Sequence, residues 1–127
     1  MLACSSANLQ KHPMAFSIDN WASQVRKGTL EFCVLNALKN GERYGYDLVR
    51  SLASIPELST SIGTLYPLLF RLREQRLVTT REEPSNEGPP RKYYSLTDGG
   101  RRAVEQMNLY WNSVNLRIQK IQKGNEI

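Results

Sequence analysis

Within residues 60–76, Ile62, Leu65, Leu69 and Leu72 recur at spacings of three and four. That spacing predicts a helix with one narrow apolar stripe to press onto a core. On a wheel of ~100° per residue the opposite face carries Thr60, Gly63, Thr64, Pro67, Arg71 and Glu74. Small residues, hydroxyls and a cation anchor another helix poorly, yet they suit a phosphate or a base edge. An ordinary solvated face has the same composition, so the meaning of this one depends on what the chain places around it.

Two helices are predicted before it. Over residues 21–40 the apolar positions Val25, Leu30, Cys33, Val34, Ala37 and Leu38 keep helical spacing, and Gly41 stands where a glycine ends a helix. A shorter helix over residues 44–54 turns Leu48, Val49 and Leu52 inward before Pro56. Ser59, Thr60 and Ser61 then offer N-cap hydroxyls for the third. After residue 76 the period changes. Residues 77–82 are rich in β-branched types, residues 84–90 form a breaker cluster, and Arg91–Leu96 resumes with strand formers. The result is a hairpin whose alternation puts Arg91 and Tyr93 on one face and Lys92 and Tyr94 on the other. The fold class is therefore mainly α with a small β-hairpin. Three helices followed by such a ribbon make a winged helix-turn-helix, in which the third helix enters a groove and the ribbon flanks it.

The chain closes on a long helix. Thr97 and Asp98 suit its start, and Val104, Met107, Trp111, Val114, Ile118 and Ile121 follow at intervals of three and four, a heptad seam. One such helix can seal its own core. Three helices and a hairpin already close a core, however, so six large apolar residues at the chain's end favour a dimerisation helix. The expected organisation is a flexible tail over 1–20, a winged-helix domain over 21–96, a dimerisation helix over 97–123 and a tail over 124–127.

With 127 residues the chain has the length of one domain. Seventeen Lys and Arg against twelve Asp and Glu give +5 and a pI near 9.4, which favours a polyanionic partner. Cys4 and Cys33 lie far apart, suggesting neither a disulfide framework nor a metal site and fitting a reducing cytoplasm. No apolar run reaches the 18 or so residues of a membrane span. The opening Met-Leu-Ala-Cys-Ser-Ser is superficially like a lipoprotein box but lacks the charged and apolar segments of a signal peptide, and Met14 is an alternative start. Catalysis is not indicated: the single histidine is His12 in the tail, and no Gly-rich phosphate loop, metal-ligand cluster or apolar carboxylate pair is present. No cofactor is expected.

Four ordered blocks carry a family resemblance. Lys27-Gly28-Thr29-Leu30-Glu31, Tyr44-Gly45-Tyr46-Asp47-Leu48, Gly63-Thr64-Leu65-Tyr66-Pro67-Leu68-Leu69 with Arg71-Leu72, and Gly88-Pro89-Pro90-Arg91-Lys92-Tyr93-Tyr94 with Leu96-Thr97 and Gly99 resemble the PadR family of bacterial transcription regulators. The single C-terminal helix resembles the short subgroup, in which that helix alone makes the dimer. The thiols and the missing signal segments make a cytoplasmic chain the expectation. The resemblance implies a homodimeric repressor of a palindromic double-stranded DNA operator, released by a small hydrophobic, aromatic or phenolic effector or by another signal. It makes Thr64, Tyr66 and Pro67 the recognition-helix signature and Arg91 and Lys92 the wing signature, with Trp111 facing its symmetry mate beside a ligand pore.

Ser59, Thr60, Ser61, Gly63, Thr64, Tyr66, Arg71, Arg91 and Lys92 are accordingly the expected DNA contacts. Tyr66 is equally suited to linking the third helix to the wing, and Trp111 to packing in a dimer core. Three residues depart from the family pattern. Phe70, on the flank of the apolar stripe, replaces a basic or polar residue, Arg73 a glutamate, and Arg76 a helix-ending glycine. Phe70 supports an alternative in which the winged helix is a protein-interaction or antagonist module without its own operator.

Overall fold

The computed structural model describes residues 15–125, so the expected tail through residue 14, with Cys4, His12 and Met14, and residues 126–127 lie outside the described residues. The chain divides into one unit ending at Leu30 and a second beginning at Glu31. Helix α1 (Ile18–Ala37) starts three residues before the expected Trp21 and stops before Asn40. Ser17 explains the early start: its Oγ accepts the Asn20 N–H at 3.3 Å, and its carbonyl accepts the Trp21 N–H at 3.1 Å. Within the first unit Phe16, Ile18, Trp21 and Val25 are exposed.

The second unit holds the core. Val34, Leu35 and Leu38 are buried near the end of α1, as are Leu48, Val49 and Leu52 of α2 (Gly45–Ala53). After a single 3-10 turn, Pro56–Leu58, helix α3 (Ile62–Glu74) contributes Leu65, Leu68, Leu69 and Leu72. The buried stripe is therefore rotated from the expected one. Leu68 is inside, whereas Ile62 stays 39 % exposed because it opens the helix beyond the edge of the core. Thr60 lies before the helix, which Ser61 caps by accepting the Thr64 N–H at 3.2 Å. Helix α3 runs through Pro67. Proline removes the N–H that would reach the Gly63 carbonyl, at a cost of up to about 3 kcal/mol in a regular interior. Gly63 is exposed, so water can satisfy that carbonyl.

The hairpin is part of a three-stranded antiparallel sheet of order β1-β3-β2, where β1 is Arg43–Tyr44, β2 Val78–Glu83 and β3 Arg91–Leu96. Strand β1, which the sequence did not reveal, pairs Arg43 with Tyr94 and Tyr44 with Tyr93. Val78, Tyr94 and Leu96 are buried on the core face. Helix α4 (Asp98–Gln122) is capped by Thr97, whose hydroxyl accepts the Gly100 N–H at 2.9 Å and donates to the Arg76 carbonyl at 2.7 Å. A Cβ at Gly100 would sit 2.0 Å from the Leu77 carbonyl oxygen, so only glycine permits this approach. Among the described residues, four helices and a three-stranded wing form the expected winged helix with a long C-terminal helix.

Between α3 and β2 the Arg76 N–H bonds the Arg73 carbonyl at 2.9 Å, and the Leu77 N–H bonds the Leu72 carbonyl at 3.0 Å. This is the Schellman pattern, with Arg76 in its left-handed position at φ 61. A side chain costs about 1–2 kcal/mol there, partly offset in glycine by lost chain entropy. Arg76→Gly should therefore stabilise the fold by about 0.5–1 kcal/mol, read as a higher urea midpoint at fixed protein concentration.

Candidate nucleic-acid interface

Burial of the α3 leucines turns the other side of the helix outward. Gly63, Thr64, Tyr66, Pro67, Arg71, Arg73 and Glu74 are all exposed. Thr64 Oγ1 lies 3.2 Å from Ser61 Oγ, so two hydroxyls meet at the helix start. That end also presents the positive pole of the helix dipole, and Arg71, Arg73 and Arg76 bring three cations to its far end. Ser59, exposed in a left-handed conformation at φ 44, closes the preceding turn. Thr60 departs from expectation: its Oγ1 is buried without a hydrogen-bond partner, so it does not face a solvent-side ligand. Phe70 corrects a second expectation. Immediately after Leu69, it points outward at 64 % exposure and does not edge the buried stripe.

The wing stands beside α3 through a tyrosine-lined cleft of about 290 Å³, bordered by Tyr44, Gly45, Tyr46, Tyr66, Lys92 and Tyr94. Gly45 lets the Tyr94 ring pack closely here: a Cβ would meet its Cε1 at 2.7 Å and force the ring to shift. Burial, followed by the neighbouring Tyr44 and Tyr46 phenols, pushes the Tyr66 phenol up from its ordinary pKa. Tyr94 is pushed up by burial and then by Tyr66, against an opposing pull from Arg73. Both phenols remain protonated donors at neutral pH. Tyr66 thus borders the wing cleft while staying exposed on the outward face.

The other face of the sheet is a chain of rings and guanidinium groups. Arg91 lies 5.3 Å from the centre of the Tyr44 ring, Tyr44 sits 5.6 Å from Tyr93, and Arg81 stacks 4.6 Å from Tyr93. Arg50 of α2 extends the series over Tyr46 at 5.5 Å. These contacts join β1, β3 and β2 to the start of α2. Arg81 is also neutralised, with Nε and Nη2 donating to Glu42 at 2.6 and 2.7 Å and Nη1 donating to Glu83 at 2.5 Å. Its hydrogen bond holds the Glu42 carboxyl below the usual carboxylate range. Arg91 and Lys92 stand in register with Glu83 and Glu82, yet no ion pair engages either cation among the described residues. They are the cations of the β2–β3 hairpin without an ion pair among the described residues. The Arg81 clamp and Tyr46 were missed by spacing alone. For Tyr46 the signal was its place in the Tyr44-Gly45-Tyr46 block, whereas the Glu42–Arg81 pair spans 39 positions and has no local signature.

Along α4 the six seam positions behave differently. Val104 is 1 % exposed, buried by its own chain, so it is not a free dimer contact as expected. Asn108 holds the helix nearby, donating to Asn36 Oδ1 and to the Val104 carbonyl at 2.9 Å each. Trp111 packs on Phe32 of its own chain, with ring centres 5.6 Å apart, yet remains 43 % exposed. Met107 and Val114 are half-buried, and Ile118 and Ile121 are exposed. Leu109, Tyr110 and Leu116 are exposed as well. Among the described residues no group of three or more His, Cys, Asp or Glu is arranged for a metal ion. No described helix is long and apolar enough to cross a membrane.

Comparison with known proteins agrees with this geometry. The Transcriptional regulator PadR-like family model matches residues 34–106. A PadR-like transcriptional regulator from Bacillus cereus superposes with a TM-score of 0.69 and 34 % identity, covering 78 % of this chain and 96 % of that one. The transcriptional regulator YqjI of Escherichia coli is 31 % identical over 81 residues, 62 % of this chain and 37 % of YqjI. Bacillus subtilis PadR, solved in complex with operator DNA, gives a TM-score of 0.55 and 26 % identity over 63 % of this chain and 46 % of its own. The chain is not an enzyme but belongs to the PadR-like family of transcriptional regulators.

Proposed function

We propose that the chain is a cytoplasmic, homodimeric repressor that binds a palindromic operator in duplex DNA. The supporting observation is the outward face of α3, which sets Gly63, Thr64, Tyr66 and Arg71 beside a wing whose Arg91 and Lys92 have no acidic partner within ion-pair distance among the described residues. The likeness to a PadR bound to operator DNA supports the same use of the surface. In this reading α3 enters the major groove, Ser61 and the α3 N-terminus meet a phosphate, and the wing follows the adjacent backbone. A second copy covers Ile118 and Ile121 of α4 and sets two reading helices at a fixed spacing.

Each phosphate contact adds roughly 0.9 to the slope of log affinity against log salt. Replacing Arg91 and Lys92 together by alanine should weaken duplex binding in a gel shift and lower that slope by nearly two per subunit. An unchanged slope contradicts the wing assignment.

The effector belongs at Trp111. Its indole is covered on one side by Phe32 and open on the other, with Met107 one turn away as an adaptable wall. Phenolic acids or planar aromatic compounds should quench Trp111 fluorescence in a Trp21→Phe background and weaken DNA binding. Absence of quenching by every candidate, with a Trp111→Ala chain that still dimerises and is induced normally, would falsify the effector site.

A further inference from the structure

Phe70 is the largest unexplained exposure on α3. It is 64 % exposed, away from the buried stripe of Leu65, Leu68, Leu69 and Leu72, and it has no ring or cation partner among the described residues. It also follows a row: Ile62, Tyr66 and Phe70 succeed one another at intervals of four, all exposed, with Pro67 beside them. Such a row lies along one side of a helix. The residues around it are those of a nucleic-acid surface, with Thr64 and Gly63 on one side and Arg71, Arg73 and Arg76 close by.

A phenyl ring entering a major groove meets mostly hydrogen-bond donors and acceptors, and covering those without replacing their bonds costs free energy. One feature of the groove is apolar, the C5-methyl group of thymine. Resting on the proposed DNA-binding role, we infer that Phe70 is a specificity-determining residue that reads thymine methyl groups, with Pro67 and Tyr66 extending the apolar contact. It reads bases where a cation at the same position would favour phosphate or guanine. Glu74, one turn further on and also exposed, reinforces this distinction: a carboxylate there repels phosphate and suits the cytosine amino group.

The test uses a duplex selected by the full-length chain from a randomised pool, then synthesised twice, with thymidine or with deoxyuridine throughout. The two duplexes differ only in the methyl groups. The wild-type chain should bind the thymidine duplex about tenfold more tightly. Phe70→Ala should lose most of that preference while changing deoxyuridine affinity less than about twofold, with its urea midpoint confirming an intact fold. Phe70→Leu should keep part of the preference. Equal weakening on both duplexes would assign Phe70 a positional role and overturn the inference. Wild-type affinity of Phe70→Ala for both would place the ring against a protein partner and also overturn it, leaving DNA binding intact. Failure of the wild-type chain to select or bind any duplex would overturn the DNA-binding role and this inference together.

Discussion

Burial of Leu65, Leu68, Leu69 and Leu72 fixes which side of α3 meets the outside. Each buried leucine contributes about 2 kcal/mol relative to exposure. A rotation of one residue, ~100°, would expose part of this set and bury Thr64 or Arg71. The presentation of Gly63, Thr64, Tyr66 and Phe70 therefore follows from core packing and needs no contacts of their own. Pro67 is tolerated in the same helix because the hydrogen bond it removes lies on the outward side, where water reaches the Gly63 carbonyl.

The wing is tied to the helices by several modest interactions. Thr97 bridges the Arg76 carbonyl and the Gly100 N–H, joining the α3 exit to the α4 start. Tyr94 packs over Gly45, so the centre of the sheet sits against the first turn of α2. On the outer face Tyr44, Tyr93 and Arg81 stack in sequence, and Glu42 clamps Arg81. An exposed ion pair is a weak contributor alone. Here it is coupled to ring stacking and strand pairing, and it removes Arg81 from the cations available to an anion. On the β2–β3 hairpin this leaves Arg91 and Lys92 as the cations without an ion pair among the described residues.

Most of the architecture was legible because hydrophobic period changes at the end of α3 and the breaker cluster precedes β3. Features set by single tertiary contacts were not. Strand β1 has two residues and leaves no alternation to detect. Leu68 and Ile62 exchange places relative to expectation because the core reaches the middle of α3 and not its first turn. Thr60 looks like a cap in sequence, but Ser61 takes that role and the Thr60 hydroxyl is buried. Val104 begins a regular heptad seam, yet its own chain covers it. Heptad spacing records that a face is apolar and leaves open which surface covers it. Arg76 occupies a left-handed position that its side chain does not announce.

In the proposed complex the outward face of α3 lies in the major groove, once for each subunit of the dimer. Placing one cysteine at Thr64, in a chain with Cys4 and Cys33 changed to serine, allows an iron chelate to be tethered there and cleavage of a bound duplex to be mapped. Two clusters of cuts about one helical turn of DNA apart, symmetric about the site centre, are predicted. Firm binding with diffuse or absent cleavage from this position would contradict that placement.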